Sequence, residues 1–150
     1  MNKFPEIDPG IRVGGQPTEQ DLAELKQQGI SMVIDFRQPG EIATSNESLA
    51  TSQGFEYMNI PFDRANPSER AVQQLDEVLR QKEGPHLLHC GTGIRAITIY
   101  LLRQARSEGW SAEQTMQEAQ KRGFDLAGAA DLREFVRRYL ESWDGSRATS

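Results

Sequence analysis

The chain has 150 residues, 37% hydrophobic and 26% charged, with a formal net charge of -5. That length supports one soluble domain with a real core, and the expected division is a single domain over 1–143 with a disordered tail at 144–150. The acidic balance without any Lys/Arg run argues against nucleic acid or membrane as partner, and no apolar signal core or run of about 18 apolar residues is present.

Ile11-Arg12-Val13 reads as a short strand before Gly14-Gly15. Thr18 caps a helix that buries Leu22 and Leu25 and stops at Gly29. Ser31 to Phe36 is a β-rich apolar run and a central strand. Pro39-Gly40 breaks it, and 41–53 is weakly helical. Phe55 to Ile60 is the next strand, ended by Pro61. Pro67 to Lys82 carries Val72, Leu75, Val78 and Leu79 at helical spacing and closes at Gly84-Pro85. His86–His89 is a further strand. Ile94 to Arg106 is apolar almost all round, which predicts a buried helix. Ser111 and Gln114 form a capping box for the next helix. Asp131 caps the last, where Leu132, Phe135, Val136, Tyr139 and Leu140 make one stripe. Strands alternating with helices predict an α/β fold with three layers, a mostly parallel central sheet flanked by helices. Chemistry then belongs at the carboxyl ends of the strands, where Arg37, Asp63 and Cys90 are expected to converge on one crevice.

The strongest local signal is His89-Cys90-Gly91-Thr92-Gly93-Ile94-Arg95. A strand delivers the sole cysteine into a tight glycine-bounded turn, and a helix follows. Backbone amides of such a turn and of the helix N-terminus converge on one point and favour negative charge there. That field stabilises a thiolate, and a planar guanidinium can clamp two oxygens of a phosphate-like group. A merely packed cysteine needs neither the glycines nor the arginine. One cysteine excludes an internal disulfide and makes a thiolate metal site improbable. His86 and His89 alternate along one strand, which argues against a shared metal, so no metal or cofactor is expected. His86 reads as structural and His89 as support for the thiolate or the backbone rather than as a base. A free nucleophilic thiol suits a reducing, cytoplasmic compartment.

Val13-Gly14-Gly15-Gln16-Pro17-Thr18, Val33-Ile34-Asp35-Phe36-Arg37 with Glu41, Asn59-Ile60-Pro61-Phe62-Asp63, the Cys90–Arg95 loop and Gly109-Trp110-Ser111 together resemble the bacterial beta-lactamase hydrolase-like phosphatase-like domain family. The resemblance covers roughly residues 8–140. It implies a fold similar to dual-specificity, cysteine-dependent protein phosphatases and a phosphoester hydrolase activity. It carries over Cys90 as nucleophile, Arg95 as phosphate clamp and the amides of Gly91, Thr92, Gly93 and Ile94 as the cradle that binds substrate. The implied substrate is a phosphorylated protein or a small phosphoester. Asp63, upstream of Cys90 and after a strand, is the general-acid candidate; its bland alternative is a loop aspartate capping a turn. Arg37 is read as an orienting residue or as a salt-bridge partner of Glu41.

Two departures mark this sequence. Its loop is one residue shorter than the usual loop of cysteine phosphatases, and the shorter length resembles rhodanese-type sulfurtransferases. Ala96 also stands where cysteine phosphatases carry Ser or Thr, a role open to Thr92. The alternative activity is therefore a sulfurtransferase carrying a persulfide on Cys90. A third possibility is a phosphate-binding module without catalysis, which would need neither thiol nor acid.

Overall fold

Four short apolar runs become neighbouring parallel strands, and the chain closes helices over both faces. The computed structural model describes residues 3–41 and 46–148. The strands are β1 (Glu6–Asp8), β2 (Ile11–Gly14), β3 (Met32–Asp35), β4 (Glu56–Asn59) and β5 (His86–His89). They lie in the order β1-β2-β5-β3-β4. All pairs are parallel except β1 with β2. The helices are α1 (Glu19–Gln27), α2 (Asn46–Ser52), α3 (Arg70–Gln81), α4 (Ile94–Glu108), α5 (Ala112–Lys121) and α6 (Ala130–Ala148), with a 3-10 turn at Pro39–Glu41. This is the expected mostly parallel α/β architecture. β1 is an addition to the expected elements.

Successive strand residues face opposite layers. Val33 and Leu87 join Leu22, Leu25, Ala50 and Phe55 on the side of α1 and α2. Ile34 and Leu88 join Val72, Leu75, Ile97, Leu101 and Phe135 on the side of α3, α4 and α6. α4 lies at the centre of that second layer, in contact with α3, α5, α6, β2 and β5. Ile97, Ile99, Leu101 and Leu102 on it are all fully buried. Each such side chain contributes about 1.5–3 kcal/mol by leaving water.

Both expected helix caps form. Thr18 Oγ1 accepts from the Asp21 N–H at 3.0 Å while Asp21 returns a bond to the Thr18 N–H at 2.9 Å. Ser111 and Gln114 exchange the same pair of bonds. Two helix starts differ from expectation. α3 begins at Arg70 rather than Pro67, because the Ser68 hydroxyl accepts from the Arg70 N–H at 3.1 Å. α6 begins at Ala130, so Asp131 occupies the first turn and is not the cap. The expected tail at 144–150 overlaps the α6 backbone as far as Ala148, and 149–150 lie outside the described residues. No helix among the described residues is long and apolar enough to cross a membrane.

The register decides where the site lies. Gly14 pairs with His89, His89 with Asp35, and Asp35 with Asn59. The last residues of four parallel strands therefore form a single row, with Cys90 one residue beyond it.

Candidate active site

The loop after β5 is pinned on both sides before it turns. Cys90 donates its N–H to the Gly14 carbonyl at 3.3 Å, and Phe36 donates to the His89 carbonyl at 2.9 Å. At its far end Gly93 adopts φ +96°, in the left-handed region, and starts α4. That turn aims the Gly93 N–H at Cys90 Sγ, at 3.0 Å. Glycine is required there twice over. A side chain is strained at this φ, and a Cβ would lie 3.0 Å from the Phe124 ring and 3.3 Å from the Gly14 backbone. Gly15 is also forced, since a Cβ would sit 2.8 Å from the Gly91 carbonyl oxygen. The thiol itself is buried, together with Gly93. Thr92 is exposed, and the hydrogen bond described at Sγ comes from Gly93.

A crevice of ≈ 380 Å³ opens above this loop. Gly91, Thr92, Ile94 and Arg95 line it, together with Asp63, Arg64 and Ala65 from the segment after β4 and Gln38 from the segment after β3. Arg95 is only 9% exposed. Its Nη1 donates to the Phe62 carbonyl at 3.5 Å, which ties the cysteine loop to the segment carrying Asp63. Asp63 Oδ1 accepts from the Ala65 N–H at 2.9 Å, and the Asp63 carbonyl accepts from the Asn66 N–H at 3.1 Å. Asp63 thus caps its own turn, the bland role foreseen for it, while also lining the crevice.

Arg37 departs from expectation. It is 2% exposed and is not among the residues that line the crevice. Its partner is Asp35: Arg37 Nε and backbone N–H both donate to Asp35 Oδ1 at 3.0 Å, and Nη2 donates to Oδ2 at 3.0 Å. The side chain of Glu41, the partner expected from sequence, lies outside the described residues. Tyr57 donates its hydroxyl to Asp35 Oδ2 at 2.8 Å. Asn59 Nδ2 donates to the carbonyls of Asp35 and Arg37 at 2.7 and 2.9 Å. Sequence reasoning missed Asp35, Tyr57 and Asn59. A partial signal existed, since an acid at the end of a strand and a base two residues on can share a face where the chain stays extended.

His89 stands next to this group, with Nδ1 3.9 Å from Asp35 Oδ1. Neither ring nitrogen has a hydrogen-bond partner among the described residues. Burial pushes the imidazole pKa down to about 4, against the pull of the Asp35 carboxylate and with the push of the Arg37 guanidinium. Burial alone would raise the Asp35 pKa, but the bonds from Arg37, the neighbouring His89 and the Tyr57 hydroxyl hold it below the usual carboxylate value. Burial and the Asp35 carboxylate raise the Tyr57 pKa. At neutral pH the group at the ends of β3 and β5 is therefore a paired carboxylate and guanidinium with an uncharged imidazole.

Residues 3–107 match the family model described as beta-lactamase hydrolase-like protein, phosphatase-like domain. The chain belongs to this family. The match runs from the segment before β1 to the end of α4, so it includes the Cys90–Arg95 loop, Asp63 and the buried Asp35 group. A beta-lactamase hydrolase-like protein of Agrobacterium fabrum is 29% identical over 132 residues, which is 85% of this chain and 31% of that protein. The chain thus spans under a third of the length of the curated relatives it matches. Among solved structures, TpbA of P. aeruginosa superposes with a TM-score of 0.77 at 19% identity, covering 97% of this chain and 91% of the other. The core catalytic domain of the PP-IP phosphatase SIW14 from S. cerevisiae gives 0.71 at 17% identity, covering 90% and 83%. At these identities the likeness establishes a shared fold.

Proposed function

We propose that this domain hydrolyses phosphate monoesters through a phosphocysteine on Cys90. The supporting observation is the 3.0 Å bond from the Gly93 N–H to Cys90 Sγ, in a loop that shares one crevice with Arg95 and Asp63. A backbone donor on sulfur favours its anionic form, and the loop amides at the start of α4 favour the anionic phosphoryl group. Arg95 grips two phosphoryl oxygens. Cys90 Sγ attacks phosphorus, the bond from phosphorus to the leaving oxygen breaks, and Asp63 gives that oxygen its proton. Water then attacks the phosphocysteine with Asp63 taking its proton. The S–P bond breaks, and inorganic phosphate leaves with the thiolate restored.

Phosphorylated protein or a small phosphoester is the substrate class we adopt. It is consistent with fold neighbours crystallised with phosphotyrosine, in TpbA, and with PI(5)P, in PTPMT1. A nucleophilic free thiol suits a reducing compartment, so a cytoplasmic setting is the reading taken here.

The test is paired. Wild type and Cys90→Ser are assayed for phosphate release from an aryl phosphate, with and without vanadate, and for thiocyanate formation from thiosulfate and cyanide. Slow phosphate release that depends on Cys90 and is blocked by vanadate is expected. Cys90-dependent thiocyanate formation without phosphate release would replace this reading with sulfurtransfer, the activity its short loop also resembles.

A further inference from the structure

The segment that carries Asp63 is fastened to α6 at two points. The buried Phe62 ring packs on Phe135 with centroids 5.4 Å apart and planes at 51°. Two residues on, Arg64 grips Asp131 with the two donors of one edge, Nε to Oδ2 at 2.8 Å and Nη2 to Oδ1 at 2.7 Å. The geometries match: Phe62 and Arg64 are two apart on an irregular segment, and Asp131 and Phe135 are four apart on one helix face. Asp63 is the residue held between the two fastenings. Both α6 residues lie beyond the 3–107 segment of the family match.

We propose that the Arg64–Asp131 pair is a latch that fixes the Asp63 loop over Cys90, making Arg64 and Asp131 positioning residues for the proton donor. The role in proton donation rests on the phosphatase reading above. Arg64 commits the side-on edge of its fork, Nε with one Nη2 hydrogen, to Asp131, so a substrate anion would meet only the end-on edge of Nη1 and Nη2. The pair also shapes its own electrostatics. The Asp131 bond, and then the nearby Cys90, raise the Arg64 pKa, while Arg64 and the helix-end amides lower that of Asp131. Both ions are therefore held charged beside the thiol.

The two side chains are 40% and 46% exposed, so the latch is weak and salt-sensitive. An exposed pair is worth a factor of about 1.5 to 5 in an equilibrium, with bidentate geometry at the upper end. Asp131→Asn keeps an acceptor for the helix-end amides and removes the charge, so it isolates the latch from the helix start.

The experiment compares wild type, Arg64→Gln, Asp131→Asn and the double variant. Two rates are measured: on phenyl phosphate, a poor leaving group, and on p-nitrophenyl phosphate, a better one. Amide hydrogen exchange of residues 63–66 is measured on the same samples. Each single variant should lose about 3- to 5-fold on phenyl phosphate, the size of such a pair, while keeping most of its rate on p-nitrophenyl phosphate. The double variant should be no worse than either single one, because the partners act as a unit. Exchange of the loop amides should quicken by a similar factor. Equal losses on both substrates, multiplicative losses in the double variant, or unchanged exchange would overturn the latch. If wild type shows no Cys90-dependent hydrolysis, the phosphatase reading falls by itself. Exchange then decides: quickened amides uphold the fastening, and unchanged amides overturn it.

Discussion

Gly93 and Cys90 form one unit: the residue that turns the chain into α4 also supplies the amide that contacts the thiol, at 3.0 Å. The backbone turn and the environment of the thiol are joined at that bond. Gly93→Ala should therefore fail in both respects. The left-handed φ of +96° and the close Phe124 ring predict a stability loss of about 1–3 kcal/mol, together with a large loss of turnover. Gly91→Ala is the control. A Cβ there would meet only Arg95 Nη2, at 3.3 Å, the far end of a long side chain. It should shift the substrate affinity more than the urea midpoint. Equal stability losses at the two glycines would contradict this account.

Arg95 and Asp63 should separate by leaving group. Arg95→Lys replaces a planar fork with a point charge and removes the bond to the Phe62 carbonyl. Its kcat/KM should fall on the order of 10²-fold, for good and poor leaving groups alike. Asp63→Asn should fall about 10²- to 10⁴-fold on phenyl phosphate but far less on an ester of a very acidic phenol. A loss equal for both esters would leave Asp63 as the turn cap that its bond to Ala65 already makes it.

The Asp35–Arg37 pair is fully buried, and breaking it strands a charge. Asp35→Ala should cost about 3–5 kcal/mol, read from urea denaturation. Tyr57→Phe removes one neutral donor from the same carboxylate and should cost only about 1–3 kcal/mol. A small effect of Asp35→Ala would mean that Arg37 finds water or another partner.

Stability should fall on acidification in two steps. An unfolded histidine takes its proton near pH 6.5, but folded His89 resists until about 4. Between those values the unfolded chain binds more protons, so stability rises with pH across that window and is lost as pH falls through it. The full effect is on the order of 3 kcal/mol. Asp35 has the opposite chemistry and a lower window. Its folded pKa is depressed, so its contribution is present above the unfolded value of 3.8 and is lost as pH drops below it. His89→Leu should flatten the upper step and shrink the lower one, since His89 also helps hold the Asp35 pKa down. Urea midpoints taken at intervals from pH 7 to 3 would show this, and an unchanged slope between 6.5 and 4 would refute the assignment to His89.

What the sequence made legible was local. The Thr18 and Ser111 caps, the β5 strand and the cysteine loop each depend on residues within a few positions, and all form as expected. Glu6-Ile7-Asp8 is too short and too polar to read as a strand, and only its neighbour β2 makes it one. The bond from Arg37 to Asp35 was obscured because two acids lay within reach along the chain. Asp131 lies 67 residues from Arg64, and no periodicity in either segment announces that they meet. The acid loop was legible as a location, but what fastens it was not.

The position of β5 between β2 and β3 has a consequence for how the chain acquires its site. The strand that leads into Cys90 is the last of the five in the sequence and enters the middle of the sheet. A nascent chain that has not yet reached His86 cannot pair β2 with β3 in the final arrangement, since each waits for the same absent neighbour. Two bare strand edges, both apolar, then stand open to other chains. Synthesis order and sheet order are thus opposed at the centre of this domain. The Cys90 sulfur becomes enclosed only in the step that also removes the exposed edges.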